Sequence, residues 1–255
     1  MSTNNQVTAA VAKHVLELMD LTSLNEDDTE KSILEMLDSI DEDVALPAAV
    51  CVYPQFVALC KMHLSSRGWH SVKVATVTNF PCGEQPLSQV LAQTQQAIDD
   101  GADEIDLVMP YNQVIAGDPD TPWQYVRSSK ELCGKSVQLK VIIESGVLDT
   151  PELIAQASDI AILAGADFIK TSTGKVAVNA TLTATKVMLE RIKVNGKPVG
   201  FKAAGGVKTV AQACPYLDVA CQIMGKGWVE KANFRFGASS LLADVKGVVA
   251  RGECL

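Results

Sequence analysis

The 255-residue sequence contains only three histidines, and none of them is spaced for metal. His14, His63 and His70 form no HExxH or comparable pair, which argues against a histidine-rich catalytic metal site. CxxC pairs are also missing. The seven cysteines, Cys51, Cys60, Cys82, Cys133, Cys214, Cys221 and Cys254, are odd in number and scattered. They read as reduced thiols, and the expected compartment is the cytoplasm. No apolar run is long enough to cross a membrane, and the opening "MSTNNQVTAA" lacks the basic-then-apolar order of a secretory signal. Cys254 stands one place from the end, so "GECL" is not a prenylation box. No GxGxxG follows a strand, which removes the main dinucleotide-binding signature. There is no linker, low-complexity tract or second domain, and residues 1–255 read as one unit.

What is present is ordinary in bulk and unusual in detail. The apolar share is 47% and the charged share 20%, as in soluble globular proteins. The net charge is -8, with acids concentrated at Asn25–Glu30 and Asp38–Asp43. That balance speaks against a general nucleic-acid binder or a binder of anionic membranes. It leaves room for a local basic pocket that takes a small anion.

Short apolar runs alternate with segments of helical period. Strands are predicted at Ala48–Pro54, Val72–Pro81, Glu104–Pro110, Leu139–Glu144, Asp167–Ser172, Val199–Gly206 and Phe234–Ser239. Amphipathic stretches such as "PLSQVLAQTQQAIDDG" and "PELIAQASDIAILAG" lie between them. An eighth strand is expected near Val219–Gly225, although that run also suits a helix. Before the first predicted strand, "TAAVAKHVLELMDL" and "SLNEDDTEKSILEMLDSI" read as two helices. This alternation predicts an α/β fold with a parallel sheet: a single-domain (β/α)8 TIM barrel with extra N-terminal helices, or a doubly wound sheet as runner-up.

Two helix-to-strand turns repeat one another, "GADEIDL" from Gly101 and "GADFIKT" from Gly165. Five residues after each glycine stands Asp106 or Lys170, so equivalent copies aim both side chains the same way. Lys140 and Lys202 occupy two further strands that read as buried. One such lysine alone would read as a sheet-edge residue or as half of a structural ion pair with Asp106. Three lysines and an aspartate on four strands are costly to bury and point to chemistry. Lys170 and Lys202 are about one βα unit apart, so their strands should be neighbours, about 5 Å apart.

The chemistry that fits is amine catalysis. A free lysine has a pKa near 10.4, so little neutral amine exists at pH 7. Desolvation and a nearby cation lower it toward ~7–8. The neutral amine then attacks a carbonyl to form a Schiff base, whose protonated nitrogen accepts electrons as a carbon–carbon bond breaks. No metal or other cofactor is needed. The turns "STGK", "AAGG" and "FGASS" follow the last strands, where barrels commonly bind phosphate on exposed N–H groups.

"LMDLTSLN", "VATVTNFPCG", "GADEIDLVMPY", "LKVIIESG", "GADFIKTSTGKVAVNAT", "GFKAAGGV" and "RFGASSLL" together closely resemble the deoxyribose-phosphate aldolases, class I aldolases with a TIM-barrel fold. The resemblance runs from about Leu18 to Leu242. It implies reversible cleavage of 2-deoxy-D-ribose 5-phosphate to D-glyceraldehyde 3-phosphate and acetaldehyde. It implies Lys170 as the Schiff-base lysine, Lys202 as the cation that lowers its pKa, and Asp106 as the proton carrier through water. Gly174, Lys175, Gly205, Gly206, Ser239 and Ser240 match the phosphate-pocket positions. Asp20, Thr22, Cys51 and Lys140 match residues that line the site.

The chain departs from the pattern at Ala203, where the familiar bacterial motif has proline, and a looser turn is expected there. It also has no tyrosine after Tyr216 to serve a tail-assisted proton step. Another class I or transaldolase-like enzyme would use the same lysines, and what separates it is the space beside Lys170, which should be small and apolar for acetaldehyde. A non-catalytic sugar-phosphate sensor would have little reason to keep all three catalytic-type residues. The expected partners are small sugar phosphates and aldehydes, with neither nucleic acid nor membrane. The oligomeric state is left open, a homodimer included.

Overall fold

A computed structural model describes residues 7–252. Eight parallel strands close into a barrel in sequence order: β1 (Met19–Thr22), β2 (Ala49–Val52), β3 (Lys73–Thr78), β4 (Glu104–Val108), β5 (Gln138–Ile142), β6 (Phe168–Lys170), β7 (Gly200–Ala204) and β8 (Phe234–Ala238). The β8–β1 pairing, Asp20 opposite Gly237, completes the ring. This is the (β/α)8 architecture that the alternation predicts.

Seven strands fall where the apolar runs lie; the eighth does not. Val219–Gly225 belongs almost wholly to the helix Val210–Met224. The missing strand is β1, which overlaps the end of the first predicted helix. That helix stops at Glu17, where the Leu18 N–H bonds the His14 carbonyl, and the chain turns straight into β1. Leu18, Met19 and Leu21 continue the apolar helical spacing, but all three are buried, and pairing with β2 and β8 decides the conformation. A four-residue strand carries too little period-2 signal to compete in the sequence. The second predicted helix, found as Glu30–Asp38, links β1 to β2 and is therefore a barrel helix. The helix Ala9–Glu17 precedes the barrel.

Threonine caps recur at the helix starts. Thr8, Thr29, Thr150, Thr181 and Thr209 each accept an N–H from the first turn. Gly165 ends its helix in the left-handed region, φ 108°, which a residue with a Cβ rarely adopts. The apolar core lies between the strands and the surrounding helices. The barrel's own interior is largely ionic. Among the described residues no helix is long and apolar enough to cross a membrane. The described cysteines are all unbridged. "MSTNNQ" and Cys254 lie outside the described residues.

Candidate active site

β4, β5 and β6 set the site through register. Asp106 pairs with Lys140, Ile142 with Lys170, and Lys170 with Lys202 on β7. Lys170 and Lys202 are thus direct neighbours across β6 and β7, as their spacing predicts. Asp106 and Lys170, from the two repeated turns, face each other inside the barrel.

Lys170 Nζ donates to Asp106 Oδ2 at 2.7 Å, and Lys202 Nζ donates to the same oxygen at 2.8 Å. Lys140 Nζ donates to Asp106 Oδ1 at 3.0 Å and to Glu104 Oε2 at 2.5 Å. Lys202 also donates to Asp20 Oδ2 at 2.5 Å. Arg235 closes the lower end, donating to Asp20 Oδ1 at 2.6 Å and to Glu104 Oε1 at 3.1 Å. All seven groups are buried. Three carboxylates (Asp20, Glu104, Asp106) therefore face four cations (Lys140, Lys170, Lys202, Arg235), an excess of one positive charge. Removing the Lys170 proton cancels that excess.

The electrostatics follow. Burial lowers the Lys170 pKa; Asp106 resists, Lys202 adds to the depression, and the net direction is down. Burial also works against charge on Lys202, but Asp106 and Asp20 outweigh it and hold it protonated. Burial would raise Asp106; Lys140, Lys170 and Lys202 overcome it and keep the carboxylate well below its usual range. Asp20 is likewise held ionised, against burial, by Lys202 and Arg235. Lys170 is the amine of this network that is pushed toward the neutral, nucleophilic form.

Lys170 opens onto a cavity of about 220 Å³ at the C-terminal ends of the strands. Thr22, Gly174, Lys175, Gly205, Gly206, Ser239 and Ser240, all predicted from sequence, line it. Gly174, Gly205 and Gly206 have positive φ, between 80° and 88°, so their turns present backbone toward the space. Lys175 Nζ donates to the Leu24 carbonyl at 2.6 Å. Deeper in, Cys51 sits with Leu24, Ala75 and Val77 in a small apolar cluster. Burial pushes the Cys51 thiol up, so it stays protonated there.

Ala203 lies within β7, not in the turn, and is fully buried. The bonds on either side of it toward β8 are intact: Phe201 N–H to the Asn233 carbonyl at 2.7 Å and Gly205 N–H to the Gly237 carbonyl at 3.3 Å.

Sequence reasoning missed Glu104, Arg235, Lys208 and Glu144. Glu104 and Arg235 sit inside quoted motifs, but only barrel closure brings them together. Lys208 lines the cavity, and among the described residues its ammonium has no partner. The signal for Glu144 was an acid closing the apolar run Leu139–Glu144, which by itself reads as a solvated strand end.

A family model for DeoC/LacD family aldolases matches residues 14–247. A protein from Toxoplasma gondii, provisionally assigned as a deoxyribose-phosphate aldolase, is similar at 25% identity over 95% of each chain, with a TM-score of 0.86. One from Coccidioides immitis with the same provisional assignment is 25% identical over 92% of this chain and 86% of its own, TM-score 0.80. A structure described as QR15, an aldolase, is 28% identical over 94% and 98%, TM-score 0.75. With the family pattern spanning nearly the whole barrel, the chain belongs to the DeoC/LacD family of aldolases.

Proposed function

We propose that the protein is a class I aldolase that cleaves 2-deoxy-D-ribose 5-phosphate reversibly to D-glyceraldehyde 3-phosphate and acetaldehyde through a Schiff base on Lys170. The observation that carries this reading is a buried, depressed amine at the inner wall of a polar cavity, beside a protonated Lys202 and an ionised Asp106.

The neutral Lys170 amine adds to C1 of the open-chain sugar, and water leaves to give the protonated imine. The imine occupies the position of the ammonium that Asp106 already holds at 2.7 Å, so its charge meets a preorganised partner. The C3 hydroxyl then loses its proton, the C2–C3 bond breaks, and its electron pair moves to the imine nitrogen as an enamine. Glyceraldehyde 3-phosphate departs. Protonation at C2 and hydrolysis of the imine release acetaldehyde and restore the amine. Asp106 handles these protons through water. In the free protein three ammonium groups hold it ionised; the enamine at Lys170 is neutral, which relieves one of them and makes Asp106 a better base at that step.

Size and charge support the substrate. The cluster Leu24, Cys51, Ala75 and Val77 suits a two-carbon donor. At the other end Gly174, Gly205, Gly206, Ser239 and Ser240 line the cavity with Lys175 and Lys208 at its rim, a set that suits a phosphate dianion. Binding energy from this remote group is available to fix C2–C3 over Lys170. Following release of glyceraldehyde 3-phosphate from the phosphorylated sugar and of glyceraldehyde from 2-deoxyribose tests the reading. The bare sugar should lose kcat/KM by ~10³-fold, about 4 kcal/mol. Equal turnover of both would remove the phosphate from the substrate assignment.

A further inference from the structure

The mechanism does not use Glu144, yet Glu144 is among the most constrained residues in the molecule. It is fully buried. Its backbone is left-handed, φ 53° and ψ 58°, uncommon for a residue with a Cβ. Among the described residues its carboxylate forms no ion pair. Its hydrogen bonds all go to one residue: Thr173 donates its hydroxyl to Oε2 at 2.6 Å and its N–H to both oxygens at 3.3 Å.

Thr173 belongs to the turn that forms one wall of the cavity. Its hydroxyl oxygen also accepts the Lys175 N–H at 3.1 Å. Burial raises the Glu144 pKa, opposed by the Thr173 hydrogen bonds and the charge of Lys170. The Thr173 hydroxyl gives its hydrogen to Glu144 Oε2 and keeps a lone pair for the Lys175 N–H, so its direction is fixed from both sides. The two residues after Glu144 hold the same turn. Ser145 N–H donates to the Thr171 carbonyl at 2.8 Å. A Cβ on Gly146 would lie 1.9 Å from the Val178 carbonyl oxygen, so the turn's far side rests directly on that glycine. At its end, Asn179 packs against Gly205, where a Cβ would meet it at 2.7 Å. Residues 144–146 thus form a platform under the segment 171–178, and Glu144 is its polar clamp.

We propose that Glu144 is a positioning residue for the anion end of the cavity, setting the Thr173–Lys175 turn so that Gly174 and Lys175 face a phosphate. This rests on the phosphate reading above. It explains why a buried carboxylate with no ion pair among the described residues is held in an unfavourable backbone conformation: the left-handed turn is what brings its side chain under Thr173.

The test is titration calorimetry with inorganic phosphate as the probe, together with the ratio of kcat/KM for 2-deoxyribose 5-phosphate to that for 2-deoxyribose. Glu144→Gln adds a donor that competes for the Thr173 oxygen, and should weaken phosphate binding at least ~fivefold and lower the ratio by a similar factor. Thr173→Val should do the same, and Thr173→Ser, which keeps the hydroxyl, should restore both. Gly146→Ala should reproduce the loss by lifting Val178. Should Glu144→Gln fail to fold, the Val and Ser variants of Thr173 decide the matter. Unchanged phosphate affinity in Glu144→Gln or Thr173→Val, or an equal loss on both sugars, would overturn the proposal. Phosphate binding is read without turnover, so a wild type that binds phosphate but cleaves neither sugar would sink the aldolase substrate and leave the positioning role standing.

Discussion

Lys170 owes its lowered pKa to what surrounds it. Burial and Lys202 depress its pKa while Asp106 opposes them, so removing Lys202 takes away one depressing influence and leaves Asp106 less shared. Both changes act in the same direction. Lys202→Leu should move the acid limb of the pH–rate profile upward by about one unit or more. It should also destabilise the fold by ~3–5 kcal/mol, because Asp20 and Asp106 lose a buried partner. A pH–rate profile unmoved in that variant would show that Lys202 is not the tuning cation. Lys170, Lys202 and Asp106 were legible in the sequence because charge inside apolar strands is conspicuous. Arg235 and Glu104 were not, since 131 residues separate them and no local pattern announces that β8 and β4 meet across the barrel.

At the scale of elements, glycine makes room for the interior side chains. Phe168 and Gly200 are register partners two residues back along each strand from Lys170 and Lys202. A Cβ on Gly200 would lie 2.3 Å from the Phe168 ring. Gly200→Ala should therefore cost about 1–3 kcal/mol, read as a lower urea midpoint at unchanged m. A neutral result would mean that β6 and β7 repack freely. The sequence marks Gly200 only as the first residue of "GFKAAGG"; the ring that needs its space comes from the neighbouring strand. β1 was hidden for a related reason. "LMDLT" is apolar enough to extend the preceding helix, and what makes it a strand is the pair of edges offered by β2 and β8. The Val219–Gly225 run has the opposite history: its apolar residues suit a strand or a helix, and with β1 in the ring no slot for a strand remained.

For the whole molecule, the interior charges tie stability to pH. Asp20 and Asp106 are held below the ordinary carboxylate value, burial being outweighed by their lysine and arginine partners. The unfolded chain binds these protons near pH 4 and the native protein only at lower pH. Their stabilisation is therefore complete above about pH 4 and is lost as pH falls through the folded values, at up to ~1.4 kcal/mol per pH unit for each carboxylate. Urea midpoints between pH 4 and 2 should fall less steeply in Asp20→Asn than in the wild type, and equal slopes would contradict the linkage. Activity should also survive exhaustive EDTA treatment, since in the proposed mechanism an imine serves as the electron sink; loss that added zinc restores would oppose a class I mechanism.

The proposed Schiff base is open to direct capture. Borohydride reduction in the presence of acetaldehyde, followed by peptide mapping, should place one ethyl group on Lys170 and abolish activity in proportion to labelling. Lys170→Ala should lose both labelling and turnover, the latter by on the order of 10⁴-fold or more. An adduct on Lys202 or Lys140 with Lys170 unmodified, or full activity after complete reduction with acetaldehyde, would contradict the assignment of Lys170 as the nucleophile.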